Sequence, residues 1–252
     1  MYKEDNDALV CIIKDNPVVE DAIKNIISDN KKVTSMFIHE LRNPLSLIKG
    51  TLQYIELKHP ETKEFKYWDQ LHDLTNDLEN MMSDFSQFNT CNSIKKADVD
   101  LLTLITVIKD NFMPQASNQQ IELSMTVDEG CGELFSSYSC DAAKIKQVLS
   151  NLIKNAFEAT VPGNFIHIGL GCLPAEEDTL SKLSITISNN GLPIPESEIG
   201  SIFDPFVTYK KGGTGVGLAL ARRVVDLHFG SISVTSNGNL TSFEILLPIF
   251  NT

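Results

Sequence analysis

The stretch FIHELRNPLSL, Phe37 to Leu47, crowds a histidine, a glutamate, an arginine and an asparagine together and follows them with a proline. A zinc-protease reading needs two histidines four apart on one helix face, with a glutamate beside the first. The position required for the second histidine is Asn43, so that chemistry is excluded. A core histidine is the ordinary reading of an isolated one. On a helix, however, His39 shares its face with Asn43, Ser46 and Gly50, all small or polar, while Ile38 points away. An exposed imidazole able to meet a mobile second domain is therefore expected. Pro44 lacks a donor, and its ring clashes with the carbonyl four residues back. The apolar pattern nevertheless runs on through Leu45, Ile48 and Leu52. Pro44 is then a hinge behind His39 rather than a terminator.

The second half carries a different set. In NLIKNAFEA, Asn151 and Asn155 stand four apart on one helical face. Amide oxygens can complete a magnesium shell built mostly from phosphate and water oxygens; a plain polar helix face is the competing reading. Lys154 between them could reach a phosphate or simply be solvated. KKGGTGVGL, Lys210 to Leu218, is the densest glycine cluster. Gly212, Gly213, Gly215 and Gly217 let backbone amides turn toward an anion. The loop leads into an apolar-periodic run from Val216, whose helix N-terminus would add partial positive charge. It is neither a Walker A loop nor a strand-following GxGxxG, and alone it describes a flexible surface loop equally well. Between the asparagines and the glycines lie ISNNGLPIP, a turn after a strand-like run, and IFDPFVTYK, where Phe203 and Phe206 bracket Asp204-Pro205.

The elements that must position these residues fall into two halves. Val19, Ile23 and Ile26 already recur at helical intervals. Ile38, Leu41, Leu45, Ile48, Leu52 and Ile55 then alternate spacings of three and four, as a bundle seam does. KHPETKE breaks the pattern, and Leu71, Leu74, Leu78, Met81, Phe85 and Phe88 repeat it. The short polar turn implies an antiparallel helical hairpin. Two helices cannot cover their own apolar faces, so a homodimer forming a four-helix bundle is predicted. Beyond KKADVD the rhythm changes. Strand-like runs QIELSMTV, FIHIGLGC, LSITISN, SISVTS and SFEILLPI alternate with helical runs DAAKIKQVLSNLIKNAFEAT and VGLALARRVVDLHF. Several strands are neighbours in sequence, which predicts an α+β sandwich rather than a doubly wound sheet.

Composition narrows the partners. The 252 residues, 42% hydrophobic, suffice for one large domain or two small ones. A net charge of −12 disfavours a nucleic-acid surface or insertion at an anionic membrane. No stretch approaches the ~20 apolar residues of a membrane span, and the N-terminus lacks a signal-peptide pattern, so a cytoplasmic chain is expected. The cysteines Cys11, Cys91, Cys131, Cys140 and Cys172 are odd in number and form no CxxC pair. Reduced thiols are expected, and a zinc site is not.

The order NxxxNA, strand with polar-glycine turn, FxPF and GTGxGL resembles the ATP-binding domain of sensor histidine kinases, a fold shared with gyrase-type, chaperone and mismatch-repair ATPases. FIHELRNPL resembles the phosphoacceptor box of the same kinases. The resemblance spans about residues 30 to 250. It implies a helical lead-in over 1–30, a dimerising phosphotransfer hairpin over 31–95, and a catalytic domain over 96–252. It implies that His39 takes the γ-phosphoryl group of ATP, that Glu40 orients the imidazole and accepts its proton, and that Asn43 positions water for dephosphorylating a partner. Asn155 would hold Mg²⁺ and Asn151 would lie near the phosphates. The glycine loop would form a lid, with Lys210 or Lys211 adding charge. The remaining nucleotide contacts implied are Lys154, Asn189, Gly191, Phe203, Gly213, Thr214, Gly215, Val216, Gly217 and Leu218. The acceptor of the phosphoryl group would be an aspartate on a response-regulator receiver domain. Distant ATPase relatives carry a water-activating glutamate where Asn151 stands, so transfer to a side chain is favoured over hydrolysis.

One box departs from the pattern. The usual Asp-x-Gly-x-Gly reads Asn189-Asn190-Gly191-Leu192-Pro193. In the family the aspartate accepts from the adenine amino group; Asn189 can accept through its amide oxygen without the charge, a loss on the order of 1 kcal/mol. This motivates a rival reading, a phosphotransfer or scaffold protein with a vestigial ATP site, against which the intact Asn151/Asn155 pair and glycine loop argue. The roughly 30 residues before the hairpin are too few for a sensory domain, so input is expected from a sensor or partner not represented in these elements.

Overall fold

The computed structural model describes residues 17–175, 180–210 and 213–250, with side chains in the first helix from residue 34 onward. Two compact units divide between Thr90 and Cys91. In the first, helix α1 (Pro17–Lys58), a 3-10 turn (Pro60–Glu64) and helix α2 (Trp68–Thr90) form a helical hairpin. Helix α1 passes without interruption across residue 30 and through Pro44. A helix this long tolerates the one backbone bond that Pro44 cannot donate to the Glu40 carbonyl. The turn is fixed by His59 N–H donating to the Ile55 carbonyl at 2.7 Å and by the Thr62 hydroxyl donating to the His59 carbonyl at 2.7 Å. Lys49 pairs with Glu79 across the hairpin, and Lys63 with Glu56 near the turn.

The hairpin buries little of its seam. Ile38, Leu45 and Trp68 are buried, while Leu41, Ile48, Leu71, Leu74, Leu78 and Met81 are exposed.

The second unit is a two-layer sandwich. Its elements are β1 (Ala97–Val99), α3 (Leu101–Gln119), β2 (Glu122–Val127), α4 (Gly132–Ser136), β3 (Tyr138–Cys140) and α5 (Ala142–Ala159). They continue with β4 (Phe165–Leu173), β5 (Lys182–Asn189), α6 (Glu196–Ile199), α7 (Gly217–Leu227), β6 (Ser231–Asn237) and β7 (Leu240–Pro248). Five strands form one sheet in the order β2-β4-β5-β7-β6, and β1 pairs with β3 in a small ladder. Only β2–β4 is parallel in the large sheet; the other pairs are antiparallel. Alternation selects one face: Ile166, Ile168 and Leu170 on β4, Leu183, Ile185 and Ile187 on β5, and Phe243, Ile245 and Leu247 on β7 are all buried. The helices cover this face, α5 with Ile145, Val148, Leu149, Leu152 and Ile153 and α7 with Leu220, Val224 and Val225. Each such side chain contributes about 1.5–3 kcal/mol on burial. Aspartates start the helices: Asp100 accepts from Thr103 N–H at 2.9 Å for α3, and Asp141 from Lys144 N–H at 3.2 Å for α5.

The expectation of reduced thiols fails for one pair. Cys131 and Cys172 are joined by a disulfide. The parallel pairing sets Val127 against Leu170, and Asp128 N–H donates to the Leu170 carbonyl at 2.8 Å. The turn that follows then delivers Cys131 to β4. Cys91 and Cys140 are buried free thiols, and Cys11 lies outside the described residues. Burial, and then the neighbouring Asp141, pushes the Cys140 thiol up to about 11. Such a thiol is inert. No helix of the described residues is long and apolar enough to cross a membrane.

Candidate functional site

Helix α5 presents Asn151, Asn155 and Glu158 along one face, because residues three and four apart lie together on a helix. Its opposite face is anchored by the buried residues just named, which leaves these polar groups half-buried or exposed at the surface. Asn151 Nδ2 donates to the Gly217 carbonyl at 3.3 Å, joining α5 to the first residue of α7. Lys210 Nζ donates to Asn155 Oδ1 at 3.0 Å and to Glu158 Oε2 at 2.5 Å. Two oxygens from consecutive stretches of α5 thus converge on one cation supplied by the glycine-rich loop. Lys154 is solvent-exposed on the same helix.

The loop itself is built from backbone demands. Gly215 adopts φ +65°, and a Cβ there would lie 2.6 Å from the Phe206 carbonyl carbon. Phe206 N–H donates to the Gly215 carbonyl at 2.9 Å, so the chain folds back on itself. A Cβ at Gly213 would meet the Thr208 hydroxyl at 2.4 Å. Lys211 and Gly212 lie outside the described residues. The chain then enters α7 after the buried Val216, and no side chain caps its N-terminus. The first backbone N–H groups of a helix point outward and carry partial positive charge, so an uncapped start is suited to an anion. Val216 N–H lies 3.4 Å from the Thr214 hydroxyl, and Leu218 is half-buried in the first turn. Phe203 is half-buried, its ring meeting Phe243 edge-on at 6.3 Å, with the Arg222 guanidinium 5.9 Å from its centre.

Asn189 ends β5 on the covered face of the sheet. Its cross-strand partners are Ile166 on β4 and Thr241 on β7. The side chain is 2% exposed. Its Nδ2 is the one buried side-chain polar atom of the described sandwich without a hydrogen-bond partner. Leaving a buried donor unmet costs about 1–3 kcal/mol. The neighbouring polar groups are satisfied: the Thr241 and Ser236 hydroxyls pair at 2.8 Å, and Ser236 Oγ accepts from Ile194 N–H at 2.9 Å. Asn190 Oδ1 accepts from Phe165 N–H at 2.7 Å. Gly191 is required because a Cβ there would stand 2.0 Å from the Ala159 carbonyl oxygen at the end of α5.

Behind the site, His228 is fully buried. Its Nε2 accepts from Asp141 N–H at 3.0 Å, and its Nδ1 donates to the Val224 carbonyl at 2.8 Å. Burial holds its pKa below the ordinary 6.5. It is a neutral strut between the start of α5 and the end of α7.

In the hairpin, Ile38 is buried and His39, Glu40 and Asn43 are exposed. The other histidines serve structure: His72 lies edge-on to Trp68 at 5.6 Å, His59 pairs with Glu61, and His167 bridges the Ser124 and Thr126 hydroxyls. The sequence reading overlooked Glu158 and Thr241. Glu158 was legible, standing three residues after Asn155 on a helix; Thr241 becomes visible only through the β5–β7 register.

Comparison with known proteins agrees with this architecture. Residues 140–251 match a family model described as histidine kinase-, DNA gyrase B- and HSP90-like ATPase. The sensor histidine kinase ZraS of Escherichia coli strain K12 is 31% identical over 213 residues, covering 84% of this chain and 44% of its own length. The catalytic domain of the histidine kinase ThkA is 32% identical with a TM-score of 0.53, covering 61% of this chain and 95% of that domain. ThkA crystallised with the response regulator TrrA is 26% identical with a TM-score of 0.62, covering 89% of this chain and 63% of that one. A helical hairpin followed by an ATPase-type sandwich is the catalytic core of a two-component kinase, and the chain belongs to the sensor histidine kinase family. It spans half or less of the length of the curated relatives it matches.

Proposed function

We propose that this chain is the catalytic core of an ATP-dependent protein-histidine kinase acting in the cytoplasm. His39 is its phosphoacceptor, and an aspartate of a response-regulator receiver domain is the final acceptor. The observation that carries the reading is the sandwich site. An asparagine pair on α5, a glycine loop whose lysine reaches that pair, and an uncapped α7 N-terminus gather in one unit the donors that a triphosphate requires. The complex of ThkA with TrrA supports a receiver domain as partner.

Asn155 Oδ1 and Glu158 Oε2 already hold a positive charge between them, and both are hard oxygen donors, so the site fits a magnesium ion. The bound ion would neutralise charge on the phosphates, as is general in phosphoryl transfer. Asn155 is its ligand in this reading. Asn151 orients α7, whose N-terminal amides, with Gly213, Thr214, Gly215, Val216, Gly217 and Leu218, face the phosphates. Lys154, Lys210 and Lys211 add positive charge; Phe203 and Gly191 frame the nucleoside; and Asn189 reads the base. With no carboxylate at position 151 to activate water, the site holds ATP for an external nucleophile.

That nucleophile is the His39 imidazole. Glu40 accepts the proton from one ring nitrogen while the other forms the P–N bond. The P–O bond to ADP breaks, and ADP leaves with the electron pair. The phosphoryl group then moves to a carboxylate oxygen of the receiver; the P–N bond breaks with its electron pair left on the ring, Glu40 returns the proton, and a neutral imidazole is restored. Asn43 is exposed one turn on, and in this reading it positions water for dephosphorylation of the receiver. The exposed residues Leu41, Ile48, Leu71, Leu74, Leu78 and Met81 support a homodimer in which two hairpins make a four-helix bundle.

Label from γ-labelled ATP and Mg²⁺ should enter the chain in an acid-labile, alkali-stable form and then move to a receiver domain, but not to one whose acceptor aspartate is replaced by asparagine. A vestigial site predicts no heat on calorimetric titration with ADP and Mg²⁺. That result would replace the kinase by a scaffold.

A further inference from the structure

We propose that Asn189 makes the base site tolerant, so that 6-oxopurine nucleotides bind alongside adenine nucleotides. The inference rests on the nucleotide-binding reading above and concerns what that site selects. Asn189 lies with Thr241 at the end of a sheet face otherwise lined by Ile166, Ile168, Ile185, Ile187, Phe243 and Ile245. Its Nδ2 has no partner among the described residues, although Thr241 and Ser236 beside it are paired with each other. A buried amide left open in this way is relieved when a ligand acceptor reaches it.

The chemistry of the group then sets selection. A carboxylate at this place could only accept, which suits an exocyclic amine and repels a carbonyl oxygen. An amide offers an acceptor and a donor side by side. Facing adenine, Oδ1 takes the N6 amine hydrogen and Nδ2 donates to the adjacent ring nitrogen, the two-point contact that asparagine makes with adenine elsewhere. Facing hypoxanthine, the same amide turned by half a rotation donates to O6 and accepts from N1–H. Exchanging the two atoms breaks no protein bond at Nδ2, because none is there. The backbone below stays fixed in both cases. Gly191 is pressed against the Ala159 carbonyl, Asn190 is tied to Phe165, and Ile194 is tied to Ser236. Only the terminal side-chain torsion of Asn189 has to change.

The test is calorimetry on the whole chain with Mg²⁺, comparing ADP with inosine diphosphate, which lacks the 2-amino group and removes any question of its fit. In the wild type the two dissociation constants should agree within about 30-fold, and Asn189→Asp should widen the ratio in favour of ADP by a further ~30-fold. A wild-type preference for ADP larger than about 30-fold overturns the proposal, whether or not the variant folds. A narrow ratio that survives Asn189→Asp overturns the assignment to Asn189. If neither nucleotide binds the wild type, the nucleotide-binding reading itself fails, and the base selectivity with it.

Discussion

The two units close their apolar surfaces by different means. The sandwich buries alternate residues of four strands beneath α3, α5 and α7 and meets its own needs within one chain. The hairpin keeps a regular seam yet leaves Ile48 and Leu74 each 51% exposed, and Leu71 44%. Alternation on a sheet is completed by helices of the same chain, whereas a spacing of three and four on two helices calls for two more helices. A unit whose seam stays exposed and which displays an exposed histidine suits transfer. A unit that is complete alone, with a rigid floor and a loop set by glycine geometry, suits holding a nucleotide.

The largest effect should come from Ile48→Glu with Leu74→Glu. Burying four unpaired carboxylates, two from each copy, in a dimer seam should raise the dimer dissociation constant at least about 10,000-fold, read by sedimentation, with ADP affinity unchanged. Reducing the Cys131–Cys172 disulfide, with its 41-residue sequence separation, should destabilise the sandwich by about 4 kcal/mol in the loop-closure model and leave hairpin helicity unaltered on denaturant titration. Gly191→Ala drives a methyl group into the Ala159 carbonyl and should cost about 1–3 kcal/mol in the same titration. His228 gives a pH signature. Because burial depresses its folded pKa, the unfolded chain takes up the proton first. The stability it contributes is therefore complete above pH 6.5 and is lost as pH falls below it. The melting temperature of the sandwich should drop between pH 7 and 5, and His228→Gln should flatten that slope. The smallest effect on folding belongs to Lys210→Met. Its exposed pairing with Glu158 is worth less than about 1 kcal/mol, but ADP–Mg²⁺ affinity should fall about tenfold where that charge meets phosphate.

Local periodicity carried most of the architecture. All five strands of the large sheet and helices α5 and α7 lie where period-two and helical patterns place them, since each has one face less exposed than the other. Helix α3 is not among the helical runs legible in the sequence, although Leu101, Ile105 and Ile108 are spaced for it, because Pro114 interrupts the run. The continuity of α1 through Pro44 was legible because the seam did not change phase there. The disulfide was not: Cys131 and Cys172 meet only through the parallel β2–β4 register, a long-range fact no spacing rule contains. For the candidate site, residue types and order sufficed to gather Asn151, Asn155 and the glycine loop. The open amide nitrogen of Asn189 required the sheet, since only burial tells an orphaned donor from a solvated one.

Where the phosphoryl group of ATP comes to rest distinguishes a kinase from a nucleotide-binding scaffold. Wild type, His39→Gln and Asn155→Ala should be incubated with γ-labelled ATP and Mg²⁺ and their bound label compared. Acid-labile label is predicted on the wild type and on neither variant, with His39→Gln still binding ADP as the wild type does. Label of the same kind and amount on His39→Gln would contradict the account.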